Sequence, residues 1–276
     1  MSLLFQEAKI GKVTLKNRIV MPPMCMYSCE NDGKLTNFHK YHYTSRALGD
    51  VGLIIVEASA IEPKGRISSH DVGFWDDEHI ALHKELVQEC HLYGAKMAIQ
   101  IAHAGRKSEV EDSTPISCSS LAFSDKKPFK TPLTASLEDI KNIKKLFLDA
   151  AIRAKKANYD AVELHAAHGY LLCQFLSNLT NKRDDEYGGS LENRCKIVLE
   201  IAKEIKKEVD LPLLVRISAS EWMKDGWNIN DSIYLSKELE KLGVDAIHVS
   251  SGGNLEKTDK TPKIEALYQS NWAKQI

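Results

Sequence analysis

Two imidazoles and a phenol crowd one short segment, His165-Ala166-Ala167-His168-Gly169-Tyr170. The apolar run Tyr159 to Leu164 leads straight into it, so the segment stands just past the end of a strand. Neutral imidazoles donate hydrogen bonds to a carbonyl oxygen and a nearby phenol supplies a proton, which suits acid–base work on a carbonyl compound. A zinc pair is the competing reading, because histidine is a frequent metal ligand. No third carboxylate or cysteine ligand follows at short spacing, so no metal is expected. Arg216 ends a second apolar run, Leu213-Leu214-Val215. An arginine after a strand buried on both faces needs a partner, since an unpaired buried charge is costly. Either a structural carboxylate, for which Glu57 is a candidate, or an anionic ligand meets that need.

The elements that position these residues announce themselves by a cadence. A helical stretch ends in Gly or Asn, and a short apolar run begins within a few residues. Gly49 precedes Val51 to Val56, Gly94 precedes Ala95 to Ile101, Asn158 precedes Tyr159 to Leu164, and Gly243 precedes Val244 to Val249. Gly and Asn tolerate the left-handed conformation that closes a helix C-terminus. The runs are too short for buried helices and predict strands covered on both faces. Arg18 to Met21 and Leu213 to Ile217 complete the series. Between them Ile140, Ile143, Phe147 and Ala151, then Ile197, Ile201 and Ile205, recur at helical spacing.

Strands alternating with helices predict an α/β fold with a parallel sheet. No G-x-G-x-x-G follows the first strand, which argues against a dinucleotide-binding doubly wound sheet. Polar residues cluster instead at the end of nearly every run: Cys25, Glu57, Gln100 with His103, His165 with His168, Arg216 and Ser250. Contributions from many strand ends to one face are how a TIM (β/α)₈ barrel builds its site. The opening stretch Leu3 to Leu15, with Gly11 in the middle, is expected to form a hairpin that plugs the barrel floor.

The bulk numbers exclude other classes. A net charge of -1 leaves no nucleic-acid footprint. No run approaches the roughly 20 apolar residues of a membrane helix, and Met1 to Glu7 carry no secretory signal. Six cysteines lie scattered without a C-x-x-C pair, which argues against a disulfide framework or a zinc or iron–sulfur site. Reduced thiols and a cytoplasmic location are expected.

The blocks around these residues resemble the old yellow enzyme family. They are His165 to Leu172, Gln174 to Ser177, and Asn181, Arg183 and Asp185 to Ser190 with Glu192 to Arg194. Asn17-Arg18, Met21 to Ser28, Glu57-Ala58, and Gln100 to His103 with Gly105-Arg106-Lys107 belong to the same set, which spans most of residues 1–253. The likeness is to bacterial NADPH dehydrogenases with a cysteine beside the flavin. It implies FMN at the top of one barrel domain covering residues 1–276, NADPH as reductant, and hydride transfer from flavin N5 to the β-carbon of an α,β-unsaturated aldehyde or ketone. By the same resemblance Pro22, Pro23, Met24 and Cys25 lie against the flavin, with the Cys25 thiol tuning its potential. Ala58, Gln100 and Arg216 hold the isoalloxazine, where a cation stabilises the anionic reduced ring. His165 and His168 bind the substrate carbonyl oxygen, Tyr170 gives a proton to the α-carbon, and Tyr27 orients the substrate. Homo-oligomers are expected from the family.

The chain departs from the family in strand count. Six strands are expected, near 18–22, 51–57, 95–101, 159–165, 213–217 and 244–250, whereas a closed barrel has eight. The seventh and eighth strands, whose loops commonly hold a phosphate, are expected to be missing, and Tyr268 to Ile276 to be the start of the sixth helix. A C-terminally truncated barrel that binds FMN poorly, a non-catalytic remnant, is therefore one alternative. A dienoyl-CoA reductase-like enzyme, with an iron–sulfur and second flavin segment beyond residue 276, is another. Cys25 and Tyr27 favour the simpler subclass. A metal-dependent aldolase or hydrolase barrel stands further off.

Overall fold

Six parallel strands stand side by side in the computed structural model, which describes residues 2–260 and 262–276. Ahead of them β1 (Ala8–Ile10) and β2 (Val13–Leu15) form an antiparallel hairpin. The strands of the main sheet are β3 (Val20–Met21), β4 (Leu53–Ala60), β5 (Lys96–Ala102), β8 (Ala161–Ala166), β9 (Leu213–Ser218) and β10 (Ala246–Ser250). Their spatial order follows the chain, β3-β4-β5-β8-β9-β10. Helices α1 (Asn37–Leu48), α2 (Ile80–Leu92), α3 (Leu137–Lys156), α5 (Leu191–Glu208) and α6 (Ile229–Lys241) fill the crossovers. This is the TIM-barrel plan carried through six units, as the alternation of runs predicts. On their outer sides β3 and β10 have no strand partner among the described residues. A cleft of about 760 Å³ lies at that seam, touching Val20, Pro22, Ile55 and His248.

Four of the six expected strands begin two residues late, β5 one residue late and β9 at the expected Leu213; after a helix-closing left-handed residue one or two connecting residues come first. Asn158 (φ 65°), Gly94 (φ 74°) and Gly243 (φ 79°) take that conformation as their types predict. The first unit corrects the expectation: Gly49 has φ -75°, and Asp50, with φ 67°, makes the turn. Asp50 is held there by Lys16 at 2.6 Å and by Asn17, which donates to its carbonyl.

Strand side chains alternate between two faces. The outer face carries Ile54, Val56, Ile99, Ile101, Val162, Leu164, Val215 and Ile217, packed against the helices in one core. The inner face begins as an apolar floor, with Leu53, Ala98, Ala161 and Leu214 against Ile10, Val13 and Leu15 of the hairpin. The hairpin plugs the barrel as the sequence predicts. Above the floor the inner face turns polar, with Gln100 beside Glu163, then His165, Arg216 and His248 in register, and Ser218 beside Ser250 above them.

Three elements have no counterpart in the sequence reading. They are a two-residue parallel pair, β6 (Ile116–Ser117) with β7 (Leu133–Thr134), and α4 (Leu171–Leu176), fully buried straight after Tyr170. The terminal helix α7 (Ser270–Gln275) packs on β10. Met1 and Thr261, from the terminal motif and the polar stretch, lie outside the described residues.

The helix-facing core makes a direct test possible. Phe147 of α3 has no solvent exposure. Phe147→Ala is expected to cost about 3–5 kcal/mol, read as a lower urea midpoint with an unchanged slope.

Candidate active site

Register brings the candidate residues to one rim. Arg216 pairs with His165 on one side and His248 on the other, while Ser218 pairs with Ser250. His165 is 3% exposed, and its ring meets those of His168 and Tyr170 edge-on at 5.2 and 5.0 Å. Burial, reinforced by His168 and Arg216, holds His165 well below the usual imidazole range. It is therefore neutral. The amide of Ala167 lies 3.4 Å from Nδ1, which makes that nitrogen the acceptor and leaves the ring proton on Nε2.

His168 sits in the left-handed region, φ 58°, because its loop is pinned from several sides. Its amide donates to Ser218 Oγ at 3.0 Å, and its Nε2 lies 2.6 Å from Ser250 Oγ. Burial takes its pKa down to about 3, so it too is neutral. A Cβ on Gly253 (φ 86°) would come within 2.7 Å of His168 Cα, and one on Gly169 (φ 74°) would strike the Gly253 carbonyl. Only glycines let the two loops interlock.

Lys107 closes the same junction. Its ammonium donates to the carbonyls of His168 at 3.0 Å and Gly253 at 3.1 Å. It also stands 4.8 Å from the Tyr170 ring centre, a cation–π contact. Burial lowers its pKa to about 8, so it is charged at neutral pH. Burial pushes the Tyr170 phenol well up, which keeps its proton in place for donation. Lys107 is quoted in the sequence motif without a role. A lone lysine after an apolar strand and a histidine was its only signal.

The loop after β3 carries Pro22 to Tyr27. Tyr27 is left-handed at φ 52° and half exposed. Cys25 is partly buried, and its thiol is raised to about 12 by burial, Asp71 and Glu57, so it is not a thiolate. Ala58 of β4 is buried beneath this loop, and its backbone hydrogen-bonds the Cys25 sulfur. The loop is held by Glu57, whose carboxylate accepts from the Met26 amide at 2.7 Å and the Tyr43 hydroxyl at 3.1 Å. His39 lies 3.6 Å from the same carboxylate. Glu57 is thus not the partner of Arg216, which corrects the sequence expectation. A register shift between Val56 and Ser59 accompanies this placement.

The carboxylate nearest in effect to Arg216 is Glu163. Burial lowers the arginine's pKa, and Glu163 is the first charge acting against that shift. Arg216 Nη1 reaches the Pro23 carbonyl only at 3.5 Å, and its buried Nε has no partner. Gln100, 2% exposed, donates Nε2 to Glu163 at 2.7 Å, and its amide oxygen accepts no hydrogen bond from a described residue. The structure therefore gathers Tyr27, Cys25, Ala58, Gln100, His165, His168, Tyr170 and Arg216 at one end of the barrel. Nowhere among the described residues do three His, Cys, Asp or Glu side chains converge as a metal site. No described helix is long and apolar enough to cross a membrane.

The remaining motif residues build the walls. Gln174 donates to the carbonyls of Ala104 and Gly169 and accepts from Ser117 and the Arg106 amide. Arg106 in turn donates to the carbonyls of Asn254, Leu121 and Ala122.

The model of the NADH:flavin oxidoreductase / NADH oxidase family matches residues 3–271. The chain belongs to this family. Among its relatives are the NADPH dehydrogenases of Halalkalibacterium halodurans and Bacillus subtilis, 52% and 51% identical over 250 residues each. Each alignment covers 90% of this chain and 73% of the relative. Morphinone reductase superposes with a TM-score of 0.84 at 28% identity, covering 99% of this chain and 77% of its own. A 2-naphthoyl-CoA reductase reaches 0.90 at 26% identity, covering 99% of this chain but only 44% of its own. An old yellow enzyme homologue from Zymomonas mobilis scores 0.81 at 28% identity, covering 94% and 77%. Membership in the family is what the quoted blocks lead one to expect.

The Glu57 clamp predicts a pH effect. Burial raises its pKa from 4.5 to about 7, so the folded state prefers the protonated acid. The stability this group contributes is full below about pH 4.5 and falls as pH rises towards 7, because the folded state binds the proton more tightly than the unfolded one. Glu57→Gln cannot ionise. Wild-type stability minus that of the variant is expected to fall by roughly 2–3 kcal/mol across the window, measured by urea unfolding at several pH values.

Proposed function

We propose that this chain is an FMN-dependent NADPH oxidoreductase that reduces the C=C bond of α,β-unsaturated aldehydes or ketones. The observation that carries the reading is the neutral His165, its Nε2–H free to donate, with the protonated Tyr170 phenol edge-on beside it. A carbonyl oxygen accepting from that N–H has its double bond polarised, and the β-carbon becomes electrophilic. His168 supports the same oxygen from the adjoining loop. Tyr170 then holds the proton for the α-carbon, and the Lys107 cation against its ring favours proton release. Tyr27, half exposed at the mouth, orients the substrate.

The residues fit a flavin. A buried guanidinium with an unpartnered Nε and an amide oxygen without a donor are what a ring of hydrogen-bonding edges satisfies. Arg216, Gln100 and Ala58 would hold it, with Pro22, Pro23, Met24 and Cys25 against it in one barrel domain. Held there, FMN would supply hydride exchange between NADPH and the alkene. Identity to the NADPH dehydrogenases, 52% against 26% for the 2-naphthoyl-CoA reductase, supports NADPH as the reductant and a likeness to the former over the CoA-ester enzyme. A cytoplasmic enzyme that assembles with its own copies goes with this reading.

The test is spectroscopic. The chain mixed with FMN and desalted is expected to keep a visible flavin band, bleached by NADPH and restored anaerobically by cyclohexenone. A band that NADPH bleaches but no enone restores would contradict the substrate class. Tyr170→Phe is expected to leave bleaching unchanged and to slow the enone-dependent return by about 10²–10⁴-fold, followed by stopped flow.

A further inference from the structure

Glu163 lies in mid-barrel with no solvent exposure, and neither the acid–base trio nor the loop after β3 uses it. One carboxylate oxygen accepts from Gln100 Nε2 at 2.7 Å, and the other lies 2.8 Å from His248 Nδ1. It stands one step below Arg216 on the inner face, since Glu163 pairs with Leu214 and His165 with Arg216. No described atom of Arg216 hydrogen-bonds it, so the two charges act on one another without a direct bond in a poorly solvated interior. There a charge is felt far more strongly than in water.

Two consequences follow from chemistry alone. An amide whose N–H is committed across the register to a carboxylate must present its oxygen elsewhere, and the Gln100 oxygen is the one left without a donor. A carboxylate below a guanidinium also subtracts from the positive potential that the guanidinium shows at the rim.

We propose that Glu163 is the positioning residue that fixes which way Gln100 faces and sets how much of the Arg216 charge the bound flavin feels. This rests on the cofactor reading above. Arg216 would stabilise the anionic reduced ring, and Glu163 holds that stabilisation back. His248, half-buried at the seam, keeps the carboxylate in place from the other side.

Two variants separate charge from position. Glu163→Gln keeps the shape and removes the charge, so Arg216 acts unopposed. The midpoint potential of bound FMN is expected to rise by at least a tenfold change in the oxidised-to-reduced ratio, about 30 mV for a two-electron couple. Glu163→Asp keeps the charge but draws it away from Gln100 and His248. It is expected to weaken FMN binding at least fivefold, read by flavin fluorescence, while the potential stays that of the wild type. An unchanged potential in Glu163→Gln, or unchanged FMN affinity in Glu163→Asp, overturns the inference, and each variant decides by itself should the other fail to fold. A wild-type chain that takes up no FMN overturns the cofactor reading, and this inference with it.

Discussion

Polar side chains on the inner face of a parallel sheet have only one another for partners, and in this barrel that requirement converges on Glu163. The floor below is apolar and packed against the N-terminal hairpin, beside the cleft at the seam. The floor offers no polar side chain, so every buried donor in the layer above must find an acceptor among its neighbours or do without. Glu163 satisfies Gln100 and His248 and leaves the Arg216 Nε unpartnered. The carboxylate, the amide and the guanidinium form a preorganised surface with unpaired polar groups at its top. A fold spends stability on such a surface where a ligand completes it.

The rim is built on the opposite principle, with backbone groups clamped by side chains from elsewhere. Lys107 joins the His168 and Gly253 carbonyls, Gln174 ties Gly169 to Ala104, and Glu57 grips the Met26 amide. Each clamp holds a loop that carries a candidate residue in an uncommon conformation, as the positive φ of Tyr27 and His168 shows. Desolvation by these walls then determines charge. It keeps both histidines neutral and Tyr170 protonated, the states in which they donate.

Much of this was legible in the residues. The Gly/Asn cadence located the strands to within two or three residues, and the apolar run into His165 placed the trio near the rim, although β8 continues through Ala166 so that His165 lies within the strand rather than past it. The partner of Arg216 was not legible. Glu57 and Glu163 are both lone carboxylates in apolar strands, and period-two alternation alone puts each on the inner face. The register shift after Val56 and the contact with Tyr43, neither of which leaves a mark in local sequence, separate them. Asp50 replaced Gly49 at the first turn for a similar reason, since its conformation depends on Asn17 and Lys16, more than 30 positions away. Helix α4 was hidden because a six-residue apolar run shows no period.

The central claim is that the unsatisfied edge at Arg216 and Gln100 is a flavin site. Titrating the chain with FMN while following flavin fluorescence, beside Arg216→Met, tests it most directly. One FMN per chain, with affinity at least tenfold weaker in the variant, is the predicted result. Equal affinity in the two proteins would contradict it.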